Sequence, residues 1–293
     1  MGALLCGGPL VSLQGNEART ALKSARELLL ADRLIPYLGP DLLTVEGAPP
    51  VPILPEEVAK ELNRRTPVPA RSRTNMWGAA QYIESRKHRR TLQAYMADIF
   101  AGDIVPSRFQ AFLAGLPLSL LVDTWYDSAL GRAIRATDRL DFVEIQGVTR
   151  SGEFYDIWTR AYDSSGIEMA LKDTLEVGTI LYSPHGGVLP AKNFLVADSD
   201  YVEVLTEIDI QSPIPETVKE RRTTRGFLFM GCHFHDQMLR TYARQIMKRS
   251  DGPYFAVATP STLTKNEAKF FAAQGITVLD ISLKEACDIL IGA

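Results

Sequence analysis

The sequence predicts an α/β fold with a mainly parallel sheet, and two patterns lead to this class. Continuous apolar runs of strand length, such as residues 118–122, are typical of strands that are buried on both faces of a parallel sheet. In residues 226–279, strand and helix patterns alternate, as they do in βαβ units. With 293 residues, of which 46% are hydrophobic and 23% charged, the chain suits one large domain with a packed core.

The first half of the chain predicts one strand that lies between helices and ends in the turn Gly39-Pro40-Asp41. The prolines after this turn fix φ and lack a donor, so they predict an extended loop. In chain order, the predicted segments are a flexible or edge-pairing terminus at 1–16, the main domain at 17–293 with its first helix at 17–33, a strand at 35–38, a proline-rich loop at 44–55 and an inserted helical module at 55–113.

The second half predicts further strands and helices around a segment with alternating polarity. Residues 141–182, which include Phe154 and Tyr155, predict a β-rich insertion that leads to His185. A polar, proline-containing stretch follows Asp200-Tyr201 and extends to Arg225. The other predicted elements are strands at 118–122, 226–231, 254–258 and 276–279, and helices at 129–134, from 236 onward and at 265–274.

Composition and charge exclude several classes of function. The net charge of -3 gives no general attraction to nucleic acid or to an anionic membrane. The apolar runs are far shorter than the roughly 20 residues that span a bilayer. The three cysteines, Cys6, Cys232 and Cys287, are widely separated, which excludes a four-cysteine zinc ribbon and argues against a disulfide framework. A cytoplasmic location is the simplest expectation.

Three predicted strands end in polar or glycine-containing turns that could converge on one ligand. In a parallel sheet these turns share the carboxyl edge, where backbone amides and helix N-termini favour phosphate groups. The alternative is that they are ordinary chain reversals, and spacing alone leaves both interpretations open. The turns are Gly39-Pro40-Asp41, Asp123-Thr124-Trp125-Tyr126-Asp127 and Gly231-Cys232-His233-Phe234-His235-Asp236.

Two other features are candidates for chemistry. His185 follows a proline and precedes two glycines, so it could act as a base in an irregular loop, or it could be a structural or solvated histidine. Cys232, His233 and His235 are residue types that bind metals, and Cys232 could also be a nucleophile. Two features argue against a metal site. Cys232 and His233 are adjacent in the sequence, and Asp236 lies where the N-cap of a helix is expected.

Separate segments follow the motifs of one family in the same order. The family's first glycine turn and its Gly-Ile-Pro segment correspond here to Gly39-Pro40-Asp41-Leu42-Leu43 and Gly47-Ala48-Pro49. Its helical module corresponds to Ala79-Ala80-Gln81-Tyr82-Ile83 and Pro106-Ser107-Arg108-Phe109, and its Thr-Thr-Asn-Tyr-Asp motif corresponds to Asp123-Thr124-Trp125-Tyr126-Asp127. A His-Gly motif and a final Gly-Tyr-Ser-x-x-Asp motif correspond to His185-Gly186, with Asp200-Tyr201 downstream, and to the Gly231 to Asp236 turn. Over about residues 20–290 the chain therefore resembles the sirtuin-like NAD-binding proteins. The likeness is greatest to their zinc-free bacterial branch, which includes NAD-degrading defence proteins.

The resemblance implies a Rossmann-like parallel sheet with helices on both faces, and a pocket for NAD or ADP-ribose beside the inserted helical module. It implies no zinc. In the family, attack at the ribose carbon after nicotinamide leaves gives hydrolysis or transfer to an acyl-lysine. The implied cofactor-binding residues are Gly39, Pro40 and Asp41 at the pyrophosphate, Thr124, Trp125 and Gly186 in the pocket, and Gly231, Cys232, His233 and Asp236 on the adenosine side. The implied catalytic residues are His185, as the base on a ribose hydroxyl, and Asp127 near the nicotinamide ribose.

Departures from the family motifs leave two functions open. Trp125 replaces the asparagine beside the nicotinamide ribose, and an indole cannot accept a hydrogen bond. The first loop lacks the second glycine and the serine, and Asp41 would repel a diphosphate unless it is turned away or bridged by a cation. The chain is therefore either an NAD hydrolase that uses His185 or a degenerate protein that senses a nucleotide or binds a partner. That partner could be another protein or a second copy of the chain.

Overall fold

The computed structural model describes residues 8–149, 157–207 and 213–292. A ten-stranded sheet forms its centre, with the hairpin β8-β9 beside it. The strands are β1 (Ser12–Gln14), β2 (Leu34–Leu38), β3 (Leu120–Asp123), β4 (Phe142–Gly147), β5 (Thr159–Tyr162), β6 (Glu168–Met169), β7 (Thr179–Ser183), β8 (Gly186–Gly187), β9 (Asn193–Phe194), β10 (Gly226–Met230), β11 (Tyr254–Val257) and β12 (Thr277–Asp280).

Helices cover both faces of this sheet. Within the described residues they are α1 (Gly15–Leu30), α2 (Pro55–Arg65), α3 (Met76–Lys87), α4 (Arg89–Ile99), α5 (Arg108–Ala114), α6 (Ala129–Arg135), α7 (Asp198–Glu207), α8 (Glu216–Arg222), α9 (Gln237–Met247), α10 (Lys265–Gln274) and α11 (Leu283–Ile291). None of these helices combines the length and the apolar character that crossing a membrane requires.

The order across the sheet is β1-β12-β11-β10-β2-β3-β7-β4-β5-β6. Every pairing from β1 to β4 in this order is parallel, and only β5 and β6 are antiparallel. Strands β2, β3, β7 and β10 are buried along their whole length, as continuous apolar runs require. The predicted Rossmann-like α/β class is confirmed.

Alternate residues of β2 show how the sheet divides the core into two. Leu34 and Leu38 pack into the core formed with α1, α5, α6 and α11. Ile35 and Tyr37 point to the other core, which contains α2, α3, α4, α9 and α10. This division follows from the period of two in a strand.

The predicted helical module at 55–113 contains helices from both layers. Helices α2, α3 and α4 pack against one another, whereas α5 packs against α6 and α11 on the opposite face. Phe109 and Leu113 of α5 belong to the α1–α11 core. The three-helix layer on the first face therefore ends with α4.

The interpretation of 141–182 as a β-rich insertion needs correction. Strands β4 and β7 from this segment are parallel members of the central sheet, and only β5 and β6 extend it in an antiparallel manner. Phe154 and Tyr155 lie outside the described residues. Alternation of polarity alone does not distinguish a strand of the central parallel sheet from a strand in a meander.

Both ends of the domain contain structure that the sequence did not indicate clearly. The predicted terminus 1–16 contains β1, which pairs in parallel with β12, and the first residues of α1, which begins at Gly15. Cys6 lies outside the described residues. The polar stretch after Asp200 contains the end of α7 and all of α8. Helix α11 closes the fold, and its Ser282 N-cap accepts a hydrogen bond from the Glu285 amide.

Candidate functional site

The turns after β2 and β10 interlock at the carboxyl edge of the sheet. A Cβ on Gly39 would lie 2.3 Å from the Gly231 carbonyl oxygen, so only glycine permits this approach. The Gly39 amide donates to Met230 O at 2.9 Å, and the Asp41 amide donates to Gly231 O at 3.1 Å. Pro40 between them has no amide hydrogen. The amides that the resemblance places at a pyrophosphate are thus engaged inside the protein.

A cleft of about 480 Å³ opens beside these turns, at the carboxyl ends of β10, β11 and β12. Its walls come from Gly231, Cys232 and His233 on one side and from the starts of α10 and α11 on the other. Asp41 and Glu267 give it two carboxylates, and among its lining residues in the described ranges there is no lysine or arginine. The volume fits a small-molecule group such as a nucleoside, and the first turn contributes Asp41 to its wall.

Where the resemblance places the nicotinamide ribose, the protein is closed. The cavity between the ends of β2, β3 and β10 and the start of α2 measures about 20 Å³, room for about one water molecule. Pro40, Thr124 and Trp125 line it. The Thr124 hydroxyl donates to Leu38 O at 2.7 Å and ties β3 to β2.

Trp125 closes this side through its indole. The side chain is 4% exposed, and its Nε1 donates to the carbonyl of Pro52 at 2.8 Å. The ring centroid lies 6.1 Å from that of Phe100 and 5.2 Å from that of Tyr126. Trp125 thereby connects the proline-rich loop to the end of β3 and packs where the family has a smaller amide side chain.

His185 is buried within a cluster of aromatic residues and lines neither of the two cavities. The ring centroid of Tyr242 lies 4.8 Å from its own. Burial lowers the pKa of His185 from 6.5 to about 3, so its imidazole is neutral at pH 7. Gly186 has φ of +79° and begins the hairpin β8-β9, where a Cβ would lie 2.2 Å from Asn193 O.

A hydrogen-bond chain assigns the tautomer of His185. The Tyr201 hydroxyl lies 2.9 Å from Leu195 O and 3.0 Å from Nδ1 of His185. With its one proton assigned to Leu195 O, Nδ1 is the donor and the lone pair is on Nε2. Nε2 is buried and has no hydrogen-bond partner among the described residues. This is the tautomer that a general base requires at Nε2.

Asp200, next to Tyr201, holds this region in place. Its carboxylate accepts hydrogen bonds from the Val196 and Ala197 amides, both at 3.0 Å, and from Arg89 at 2.8 Å. The side chain of Arg89 is only 13% exposed. In the pair Asp200-Tyr201, Asp200 therefore has a structural role, and Tyr201 orients the His185 ring.

Asp127 lies at the start of α6 and lines neither cavity. Its Oδ1 accepts a hydrogen bond from the Ala129 amide at 2.6 Å. Burial raises the pKa of Asp127 to about 6, and burial together with the charge of Asp127 raises that of Asp123 well above its usual range. The position implied for Asp127, beside a ribose, is not formed in this conformation.

Cys232 and Asp236 both make hydrogen bonds within the protein. The Cys232 thiol lies 3.3 Å from Tyr37 O, and burial raises its pKa well above 9.0, which favours the thiol over the thiolate. Asp236 caps α9 by accepting from the Met238 amide at 2.7 Å. Within the described residues, no group of three or more histidine, cysteine, aspartate or glutamate side chains could hold a metal ion.

His233 is a predicted site residue that lines the cleft. Its Nε2 lies 2.8 Å from Oδ1 of Asp41. Burial lowers the pKa of His233, but the hydrogen bond and charge of Asp41, with the charges of Glu267 and Glu56, outweigh burial and raise the pKa above 6.5. His235 lies 3.6 Å from Glu56.

Sequence reasoning missed Glu267, which belongs to the cleft wall. Its carboxylate accepts hydrogen bonds from the Phe234 amide at 2.9 Å and from the Thr264 amide and hydroxyl at 2.9 and 2.8 Å. The spacing Thr264-x-x-Glu267 is a capping-box signature and could have placed the start of α10 at this edge. Nothing in the sequence indicated that the same carboxylate would also hold the loop after β10.

A mainly parallel α/β sheet with a cleft at its carboxyl edge defines a Rossmann-like, nucleotide-binding class of protein. A family model described as SIR2-like domain matches residues 119–279, which is more than half of the 293-residue chain. The chain therefore belongs to the SIR2-like domain family, whose members generally bind NAD. No curated protein matches the chain.

Proposed function

We propose that the protein binds the ADP-ribose moiety shared by NAD and ADP-ribose, and that it does not cleave the nicotinamide–ribose bond in this conformation. The proposal rests on the difference in volume between two cavities. The cleft at the ends of β10, β11 and β12 measures about 480 Å³, whereas the cavity beside Trp125 measures about 20 Å³. The adenosine half of a dinucleotide therefore has space, and the nicotinamide half has none.

The chemistry of the closed half also argues against turnover. His185 lines neither cavity and its pKa of about 3 makes it a weak base at neutral pH. Asp127 is directed to the start of α6, and Trp125 donates its only polar hydrogen to Pro52. In this arrangement, neither His185 nor Asp127 reaches the Trp125 cavity, where it could activate water or a ribose hydroxyl.

One observation favours NAD hydrolysis as a second candidate function. Nε2 of His185 is a buried acceptor without a partner, and leaving a buried polar group unpaired costs about 1–3 kcal/mol. Tyr201 holds the ring in the tautomer of a base despite this cost. A conformation with Trp125 displaced would give that lone pair a ribose hydroxyl to act on. Hydrolysis without zinc would agree with the zinc-free bacterial branch.

The deciding experiment combines ligand binding with product analysis. Purified protein is titrated with NAD and ADP-ribose, its melting temperature is measured, and free nicotinamide is quantified by chromatography. We expect both ligands to stabilise the fold, by about 2.7 kcal/mol at 100 times Kd, without nicotinamide release. Release that disappears in His185→Ala would establish hydrolysis instead. If neither ligand shifts the melting temperature, both nucleotide functions fail and a partner-binding scaffold remains.

A further inference from the structure

We propose that His233 is the residue that binds the diphosphate of the ligand, and that it does so by releasing Asp41 and carrying a proton into the complex. This deepens the proposed function and rests on it. The observations that support it are the position of His233 at both cavities, the absence of lysine and arginine from the described cleft lining, and the geometry of its pair with Asp41.

His233 lies where the two halves of a dinucleotide would join. It lines both the adenosine-sized cleft and the small cavity beside Trp125. The diphosphate of NAD or ADP-ribose connects the adenosine to the second ribose, so a ligand seated in the cleft would bring its phosphates to this junction. The side chain of His233 is 28% exposed there and can reach a ligand.

In the described residues, neither the first glycine turn nor a lysine or arginine is available to hold a diphosphate at this junction. The Gly39 and Asp41 amides donate to β10 and its turn, and Pro40 has no amide hydrogen. The cleft lining in the described ranges contains no lysine or arginine, and it does contain the carboxylates of Asp41 and Glu267. Two phosphates beside these carboxylates require a cation, and the histidines are the side chains available to supply one.

The carboxylate of Asp41 contacts His233 at the position where a ligand phosphate would bind. Its Oδ1 lies 2.8 Å from Nε2, and its side chain is 32% exposed. An ion pair this exposed is weak and exchanges readily for another anion. The remaining titratable groups around His233 are Glu56 at the start of α2, Glu267 of α10, the neighbouring His235 and the neutral thiol of Cys232.

If His233 exchanges Asp41 for a ligand phosphate, the Kd of the ligand must rise as the pH rises. The acidic neighbours raise the pKa of His233 above 6.5, so below that pKa the imidazolium exists and only changes its partner. Above that pKa the free protein has a neutral imidazole, and binding must take up one proton. The Kd for a diphosphate ligand should then rise about tenfold per pH unit. Adenosine, which has no phosphate, should show no such rise.

The test measures Kd by calorimetry from pH 6 to 9, with ADP-ribose and adenosine as probes. For the wild type we expect a rise of about tenfold per pH unit with ADP-ribose above the pKa and a constant Kd with adenosine. His233→Gln should weaken ADP-ribose binding and abolish the pH dependence, whereas the control His235→Gln should keep it. Asp41→Asn should bind ADP-ribose more tightly at pH 6, because the competing carboxylate is gone, and should shift the rise to lower pH.

Three results would overturn the inference alone: a pH-independent Kd for ADP-ribose, the same pH dependence for adenosine, or a pH dependence that persists in His233→Gln. Failure of ADP-ribose to bind at every pH would overturn the proposed function, and this inference with it. Circular dichroism of each variant shows that the fold is intact, as expected for side chains that are about one third exposed.

Discussion

The substitution Tyr201→Phe tests whether one hydroxyl sets the tautomer of His185. That hydroxyl lies 3.0 Å from Nδ1 of His185 and donates to Leu195 O at 2.9 Å. Without it, the Nδ1–H is buried and unpaired, whereas the carbonyl keeps the Tyr126 hydroxyl at 2.7 Å. An unpaired buried polar group costs about 1–3 kcal/mol, so we expect the free energy of unfolding to fall by that amount.

Urea denaturation measures this loss, and Tyr126→Phe is its matched control. The control removes the other hydroxyl from the same carbonyl but leaves His185 its partner, so the expected loss is about 0.5–1.5 kcal/mol. Nitrogen-15 NMR of the imidazole should find the proton on Nδ1 in the wild type. The reasoning is refuted if the two variants lose equal stability or if the wild-type proton is on Nε2.

Three other predictions concern the closed half of the site and the interlocked turns. Trp125→Asn should lower the free energy of unfolding by about 3–5 kcal/mol and permit nicotinamide release from NAD, whereas Trp125→Phe should cost about 1 kcal/mol and permit none; denaturation and chromatography check both. The folded pKa of His185, about 3, lies below the unfolded value of 6.5, so its contribution to stability is complete above pH 6.5 and is lost towards pH 3, by up to about 1.4 kcal/mol per pH unit. Denaturation of wild type and His185→Phe across this range should show a difference of that slope, and a constant difference would contradict it. Gly39→Ala should cost about 3 kcal/mol or more, because its Cβ would lie 2.3 Å from a backbone oxygen, while Gly115→Ala, where the nearest atom is 3.5 Å away, should cost little in the same measurement.

The sequence predicted the framework of this protein because its main strands are continuous apolar runs. Leu120–Asp123 and Gly226–Met230 are buried throughout, and such runs admit few alternatives to a parallel strand. Helix α2 begins at Pro55, where the helical module was predicted to begin. Short edge strands were harder to predict, because the three residues of β1 become a strand only by pairing with β12.

The candidate site was less predictable, because its state depends on contacts between distant segments. The resemblance could place His185 and Trp125 in a pocket, but it could not indicate that the indole would donate to Pro52. Likewise, Asp41 was expected to repel a diphosphate, and its pairing with His233, 192 positions away, is visible only in three dimensions. Local patterns identify the side chains, whereas tertiary packing decides which of them remain open to a ligand.

The contacts that close the site come from one segment of the chain. Asp41 meets His233, the carbonyl of Pro52 meets the Trp125 indole, and Glu56 lies beside His235. All three partners lie within residues 119–279, which the family model matches, whereas residues 41–56 precede that range. The matched part thus contains most of the residues that line the cleft, together with His185, and the preceding segment covers the site. Because Asp41 makes its contact through a partly exposed pair with His233, a ligand anion at His233 would compete directly with this segment.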